Sequence, residues 1–142
     1  MFLKGEMTLE AKYVFTGKTV TVVGHVLRQI RAVRDTSYVT AGETGGFIEF
    51  ESNLSHEGNC WVGDNAKVYG YLAFVRDDAI VTDGAIVNGR TDISGNALIC
   101  GNSRVCGGFN GSKITDHATV CGSAVLTGTF NIDGETVIWG EP

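Results

Sequence analysis

A six-residue repeat runs through the second half of this chain and limits the folds that it can adopt. A small residue stands two positions before most of the repeated aliphatic side chains, and Gly or Asp stands two positions after each. The aliphatic positions are Val62, Val68, Val75, Val81, Val87, Ile93, Ile99, Val105, Ile114, Val120, Leu126, Ile132 and Ile138. A period of six fits neither an α-helix nor one long strand, so it predicts short strands that alternate with tight corners.

This pattern resembles the hexapeptide repeat of left-handed parallel β-helix proteins, in which three units form one triangular coil. The resemblance covers residues 60–140 and implies an all-β fold of about four coils. Gly and Asp suit the corners because both tolerate a positive φ. We therefore predict a left-handed parallel β-helix over residues 58–142 and an N-terminal strand-rich cap over residues 1–57, which together form one structural domain.

Counting three units to a coil assigns every aliphatic position to a face. Both irregular steps, one extra residue before Val75 and three before Ile114, fall at the corner between faces two and three. Two insertions at one corner support the assignment. Face one holds Val62, Val81, Ile99, Val120 and Ile138, face two holds Val68, Val87, Val105 and Leu126, and face three holds Val75, Ile93, Ile114 and Ile132.

The residues that flank the inward positions point outward, because side chains alternate along a strand. On face one these outward side chains are largely apolar, and a contiguous apolar surface usually marks a contact with a partner. We predict a homo-oligomer, a trimer by resemblance to this fold, that packs through face one. The predicted interface residues are Trp61, Ile80, Leu98, Cys100, Cys121, Val137 and Trp139. The alternative is that the N-terminal segment folds over this wall.

The segment before residue 57 is predicted to cap the solenoid, because a stack of repeats exposes an apolar cross-section at its end. Ile48 and Leu54 are six residues apart, so at most one irregular coil precedes the regular ones. Residues 18–35 predict a hairpin around Gly24, although LRQIRAV fits a short helix equally well. Residues 27–70, with the motifs GGF and NLSHEGNCWV, also resemble the N-terminal region of bacterial and prophage hexapeptide-repeat proteins that are often labelled acyltransferases.

The resemblance implies one enzymatic alternative. Many left-handed β-helix proteins are CoA-dependent acyltransferases in which a histidine acts as general base. His117 is the candidate catalytic residue, because it is the histidine within the regular repeat and follows the insertion at residues 107–113. An acyl-CoA such as acetyl-CoA would then be the cofactor. The short insertion and the acidic residues Asp133, Glu135 and Glu141 depart from the acyltransferase pattern, so we expect a protein without catalysis or cofactor.

A binding role is the preferred prediction. Arg28, Arg31 and Arg34 lie within seven residues, and Lys18 can join them across the hairpin. An oligomer would gather them around its symmetry axis, where they could hold an anionic ligand such as a nucleotide. Pairing with neighbouring carboxylates is the alternative. With the prophage-like N-terminal region, this cluster predicts a non-catalytic oligomeric binding protein of phage or prophage type that sequesters an anionic small molecule or blocks a host protein.

Composition excludes other classes. The net charge of −5 argues against general nucleic-acid binding. The sequence has no signal peptide and no bilayer-spanning apolar run, so we expect a cytoplasmic protein of the bacterial host with no membrane partner. There the cysteines should be thiols, although Cys100 and Cys121, one coil apart, could join on oxidation. No CxxC pair is present, so we predict no metal site.

Overall fold

A computed structural model describes residues 10–141, which form a parallel β-solenoid of about five turns behind an N-terminal hairpin. The predicted all-β β-helix with a strand-rich cap is confirmed. The first nine residues of the predicted cap, and Pro142, lie outside the described residues. The strands are β1 (Tyr13–Val22), β2 (His25–Ala32), β3 (Thr44–Ile48), β4 (Trp61–Val62), β5 (Lys67–Val68), β6 (Ala73–Val75), β7 (Ile80–Val81), β8 (Ile86–Ile93), β9 (Leu98–Ile99), β10 (Arg104–Ile114), β11 (Thr119–Gly122), β12 (Val125–Gly128), β13 (Asn131–Ile132) and β14 (Val137–Gly140), with a 3-10 helix at Glu51–Asn53.

The three faces are parallel sheets whose registers match the predicted repeat. Face one has the strand order β14-β11-β9-β7-β4, with Val62 beside Val81 and then Ile99. Strands β5, β8, β10 and β12 form face two, and β6, β8, β10 and β13 form face three. The register of β10 on β8 shifts between Gly107 and Ser112, where the insertion was predicted. The assignment of residues to faces is therefore confirmed.

The corners owe their geometry to Gly and Asp. Four corner aspartates have φ between 51° and 60°, a conformation that a short polar side chain tolerates better than an apolar one. The carboxylate of Asp83 accepts a hydrogen bond at 2.9 Å from the amide of Gly101, which is the matching corner of the next coil. Asp77 and Asp116 make the equivalent bond. A corner aspartate thus both permits the turn and ties neighbouring coils together.

Strand β3 joins the hairpin to the solenoid. It pairs antiparallel with β2 on one edge and parallel with β5 on the other. Ile48 lies beside Val68, and Leu54 forms a parallel bridge with Val75, so this segment makes an irregular first turn below the regular ones. The turn raises the number of coils from the predicted four to about five. The sheet runs without a break across the predicted boundary at residues 57 and 58.

Residues 18–35 adopt the hairpin and not the helix. Val23 and Gly24 connect β1 and β2 with φ of 48° and 82°, and a two-residue turn with both φ values positive suits the twist of a hairpin. Register irregularities between Phe15 and Thr19, and between Gln29 and Arg31, interrupt the pairing. Because such irregularities bend strands, the tip of the hairpin reaches the outer surface of face two. There Val20, Val22 and Leu27 pack with Phe47, Tyr69 and Ile86.

A buried lysine fastens the start of the hairpin to the solenoid. Lys12 Nζ donates to the carbonyl oxygens of Cys60, Gly58 and Glu57 at 2.7, 3.3 and 3.4 Å, and lies 3.2 Å from Cys60 Sγ. Burial lowers the pKa of Lys12 and raises the pKa of the Cys60 thiol. Three carbonyls at one ammonium group satisfy most of its hydrogen-bonding capacity, which makes the burial of this lysine tolerable.

A buried asparagine holds the first turn in place. Asn53 Nδ2 donates to the carbonyl oxygens of Gly70 and Ala73 at 2.8 Å each. Its Oδ1 accepts hydrogen bonds from the amides of Glu49 and Phe50 at 3.1 and 2.7 Å. One side chain thus satisfies four backbone groups of two consecutive turns.

Among residues 10–141, no helix is long and apolar enough to cross a membrane.

Candidate functional site

His117 occupies an exposed corner between faces three and one. Its backbone amide donates to the carbonyl oxygen of Gly134 at 2.9 Å, and its imidazole has no hydrogen-bond partner among residues 10–141. Two cap histidines, in contrast, contact carboxylates: His25 Nδ1 lies 2.9 Å from Glu49, and His56 Nε2 lies 2.6 Å from Glu51. Within one chain, therefore, nothing in the described structure orients the imidazole of His117 as a general base.

The predicted basic cluster is dispersed within one chain. The guanidinium of Arg28 stacks on the Phe15 ring at 3.8 Å from its centroid. Arg34 Nη2 donates to the carbonyl oxygen of His56 at 2.6 Å, beneath the cap. Each of these guanidinium groups is engaged by a different part of its own chain.

The two other cations of the predicted cluster are also separate. Lys18 Nζ lies 5.9 Å from the centroid of Phe47, on the side of the hairpin that faces the solenoid. Arg31 is exposed on β2, next to Val14. Arg28 and Arg31 are an odd number of residues apart on one strand, and side chains alternate along a strand. For these reasons the four cations do not form an anion-binding pocket in the described chain.

The apolar wall of face one is covered at its base and open at its top. Trp61 is only 1% exposed because the cap lies on it: its ring meets the edge of Tyr13, and a Cβ atom at Gly45 would come within 2.8 Å of it. Trp61 is therefore not available to a partner, and the alternative in which the N-terminal segment covers the wall applies at this end. Val137 and Trp139 at the other end are 66% and 64% exposed.

The middle of the wall is more enclosed than its top. Ile80 and Leu98 are half-buried.

Cys100 and Cys121 form a disulfide bond, where the sequence led us to expect thiols. Their Cα atoms are 4.7 Å apart, because neighbouring coils align these positions, and this separation lies within the range for a disulfide.

Face three carries a cleft at the corner that holds both insertions. Its volume is about 610 Å³, which is within the range of small-molecule sites. Aromatic rings, cations and neutral polar groups share its lining, which we call the face-three cleft. The lining residues are Leu72, Phe74, Arg90, Thr91, Asp92, Asn110, Gly111, Ser112, Lys113, Thr129, Phe130 and Asn131.

The charge of the face-three cleft is positive. Its one carboxylate, Asp92, is paired through both oxygens with Arg76, which donates from Nε at 3.0 Å and from Nη2 at 3.1 Å. This pairing raises the pKa of Arg76. The cleft itself contributes two further cations, Arg90 and Lys113. An anion entering the cleft would therefore meet two positive charges and a carboxylate that is already neutralised by Arg76.

The insertion in β10 forms the rim of this cleft. Ser112 Oγ donates to the carbonyl oxygen of Gly128 at 2.8 Å and accepts from the amide of Phe130 at 3.0 Å, which ties this part of the rim to the next coil. Phe109 at the tip is 94% exposed. The sequence contained a signal for this site, since both irregular steps of the repeat fall at this corner. The two insertions predict the register, but their side chains come from different coils, so the pocket itself is not visible in the sequence order.

The parallel coils, the six-residue repeat and the Gly/Asp corners resemble those of hexapeptide-repeat proteins that are labelled acyltransferases. Over 46 residues, 32% of this chain, the sequence is 50% identical to a protein of Escherichia coli (strain K12) named "Uncharacterized acetyltransferase YdcK". The matched stretch covers 14% of YdcK, so the chain spans only a small part of the length of this relative. No family model matches the chain.

Proposed function

We propose that this chain is an oligomeric binding protein that holds an anionic ligand of the nucleotide class in the face-three cleft. The observation that carries the proposal is the pairing of Asp92 with Arg76, which leaves Arg90 and Lys113 as the cations of a cleft that also contains aromatic rings. We prefer this site to the arginine cluster of the hairpin, because Arg28 and Arg34 contact different parts of their own chain.

The lining suits both parts of a nucleotide. Guanidinium and ammonium groups bind phosphate through charge-assisted hydrogen bonds. Phe74 and Phe130 offer apolar ring surface on which a nucleobase can stack, a contact that every base can make. In a phage or prophage setting, retention of such a ligand would remove a host nucleotide from solution in the cytoplasm.

Equilibrium binding of adenosine diphosphate tests this proposal. We expect saturable binding that weakens about tenfold in Arg90→Gln and in Lys113→Gln, because each variant removes one charge-assisted contact. Arg28→Gln is the matched control and should bind as the wild type does, since its guanidinium stacks on Phe15. Unchanged affinity in both cleft variants, or a loss in Arg28→Gln alone, would contradict the proposed site.

The oligomer belongs to the same proposal. Val137 and Trp139 offer exposed apolar surface at the top of face one, which supports self-association there. The trimer is proposed from the resemblance of the fold. Sedimentation velocity should show a trimer for the wild type and a smaller species for Trp139→Glu. Arg76→Glu on face three is the control and should leave the assembly unchanged. A wild-type chain that sediments as a monomer would contradict this part.

An acyltransferase is the second candidate, and the name of the YdcK protein is the observation that favours it. The face-three cleft would then receive the nucleotide portion of acyl-CoA. His117 does not line that cleft, so the reaction would need the imidazole of a neighbouring chain. Release of free thiol from acetyl-CoA, measured with amine and hydroxyl acceptors, decides between the two functions. Turnover that falls at least a hundredfold in His117→Ala supports the enzyme, and binding without turnover supports the binding protein.

A further inference from the structure

A second cleft lies between the tip of the hairpin and the outer surface of face two. Its volume is about 500 Å³, and it is separate in position from the face-three cleft. It exists because the bent hairpin places Val22 and Val23 opposite the outer surface of β8, β10 and β12. We call it the face-two cleft. Its apolar lining is Val22, Val23, Ile86, Val125 and Leu126, and its polar lining is Tyr69, Asn88, Arg104, Cys106 and Thr127.

The buried hydroxyl group of Tyr69 lines this cleft and donates no hydrogen bond within the described residues. Tyr69 is only 7% exposed, and its hydroxyl oxygen accepts a hydrogen bond from Asn88 Nδ2 at 2.8 Å. Within residues 10–141 this hydroxyl donates to no acceptor, although a phenol is a donor as well as an acceptor. The ring is held in place by contact with His25, whose imidazole is itself bound to Glu49. A fixed, buried donor that lines a cleft indicates a ligand with an acceptor atom.

The charge of the face-two cleft selects a singly charged anion. Arg104 is the one charged residue among the lining residues, and none of them is acidic. In the parallel register the exposed Arg104 lies between Ile86 and Val125 of the neighbouring coils, so aliphatic residues flank it in the strand ladder. One guanidinium together with the neutral Tyr69 hydroxyl matches a carboxylate, whereas a dianionic phosphate usually draws more than one cation.

The remainder of the cleft selects an unbranched aliphatic chain. Tyr69 and Thr127 lie three coils apart, which corresponds to about 14 Å at the usual spacing of parallel strands. Five aliphatic side chains line the cleft, and no aromatic ring other than Tyr69 does. The Tyr69 hydroxyl requires a ligand with an acceptor atom, Arg104 favours a single negative charge on it, and the length of the cleft suits an extended chain. We propose that the face-two cleft binds a linear aliphatic carboxylate, with its carboxylate on Arg104 and the Tyr69 hydroxyl.

The thiol of Cys106 provides a direct test. It is half-exposed in the cleft, whereas Cys60 is buried and Cys100 is bonded to Cys121. Sodium decanoate should slow the alkylation of Cys106 by iodoacetamide saturably, and decan-1-ol should do so at least about tenfold less effectively, because it lacks the charge that Arg104 recognises. The apparent affinity from this protection is the quantity to compare between variants.

Arg104→Gln should weaken the decanoate affinity about tenfold or more, and Tyr69→Phe, which keeps the ring, should weaken it a few-fold. Arg90→Gln in the face-three cleft should leave it unchanged, so that this inference and the proposed nucleotide site can fail independently. Equal protection by decan-1-ol, unchanged affinity in Arg104→Gln, or no saturable protection of the wild type would overturn the inference.

Discussion

The cap and the solenoid of this protein are stabilised in opposite ways. In the solenoid the same contacts recur in every coil: an inward aliphatic side chain, a small neighbour, a backbone ladder and a Gly or Asp corner. The cap has no repeat, and it is attached through a few buried polar side chains that each bind several backbone groups.

The difference teaches where this chain is vulnerable. The stability of a solenoid is spread over equivalent coils, so a substitution at any one position lowers its free energy of unfolding only modestly. A cap that depends on single multidentate side chains loses several hydrogen bonds at once, and unsatisfied buried groups are costly. We therefore expect substitutions of Asn53 and Lys12 to lower the free energy of unfolding more than substitutions of equally buried residues in the coils do.

Asn53→Leu should reduce the free energy of unfolding by about 4 kcal/mol, because it leaves buried amides and carbonyls of two turns without partners. Thermal and urea unfolding measure this change. Asn96→Leu at an exposed corner is the matched control and should stay within about 0.5 kcal/mol of the wild type. A loss in Asn53→Leu no larger than that of the control would show that the first turn is not held by this side chain.

Lys12→Met should reduce the free energy of unfolding by about 3 kcal/mol, since Met preserves the stem but donates to none of the three carbonyl oxygens. Lys18→Met, at an exposed lysine of the same hairpin, is the control. Hydrogen exchange should localise the loss to β1 and residues 57–60. Exchange that increases equally along the coils would contradict a role confined to the cap.

Val87→Ala should destabilise the protein by about 2 kcal/mol, which is the effect of a small cavity in a central coil. Val125→Ala removes the same atoms from an exposed position and should have little effect. Urea unfolding of the two variants measures the difference. If Val87→Ala lowered the free energy of unfolding more than Asn53→Leu and Lys12→Met do, the contrast between the cap and the solenoid would be wrong.

Asp83→Ala should lower the free energy of unfolding by about 1 kcal/mol, the smallest of these effects. The variant loses the hydrogen bond to the Gly101 amide, and alanine tolerates the positive φ of this corner less well than aspartate does. Asp83→Asn keeps an acceptor and tolerates the same backbone conformation, so it should recover most of this loss in thermal unfolding. Equal losses in both variants would assign the effect to charge instead of corner geometry.

The solenoid was predictable from sequence because its period admits one register. Once Val62 and Val81 were placed one coil apart, every later face, corner and insertion followed, and the structure agrees. The cap offered no such period. The burial of Lys12 depends on carbonyl groups of a loop 45 to 48 residues away, and no local pattern announces those partners.

Within one chain, two candidate surfaces differ from the sequence prediction for physical reasons. Trp61 does point outward from its strand, but the Gly45-Gly46 backbone packs so closely that the cap covers the indole. The doubled glycine was the available signal, because close backbone approach is one reason for glycine. Arg28 and Arg31 were grouped by their nearness in sequence, whereas the alternation of a strand separates them. The polar groups of both clefts come from different coils, which sequence order keeps apart.

The bond between Cys100 and Cys121 closes residues 101–120 into a covalent hoop that makes one full lap of the solenoid. The lap passes over face two and face three before it returns to face one, and it includes the insertion with Lys113. A protease cut anywhere in that lap leaves the two fragments linked. Under a force that pulls the chain ends apart, tension would pass through the sulfur atoms and bypass this lap, so the rim of the face-three cleft would be shielded from mechanical load.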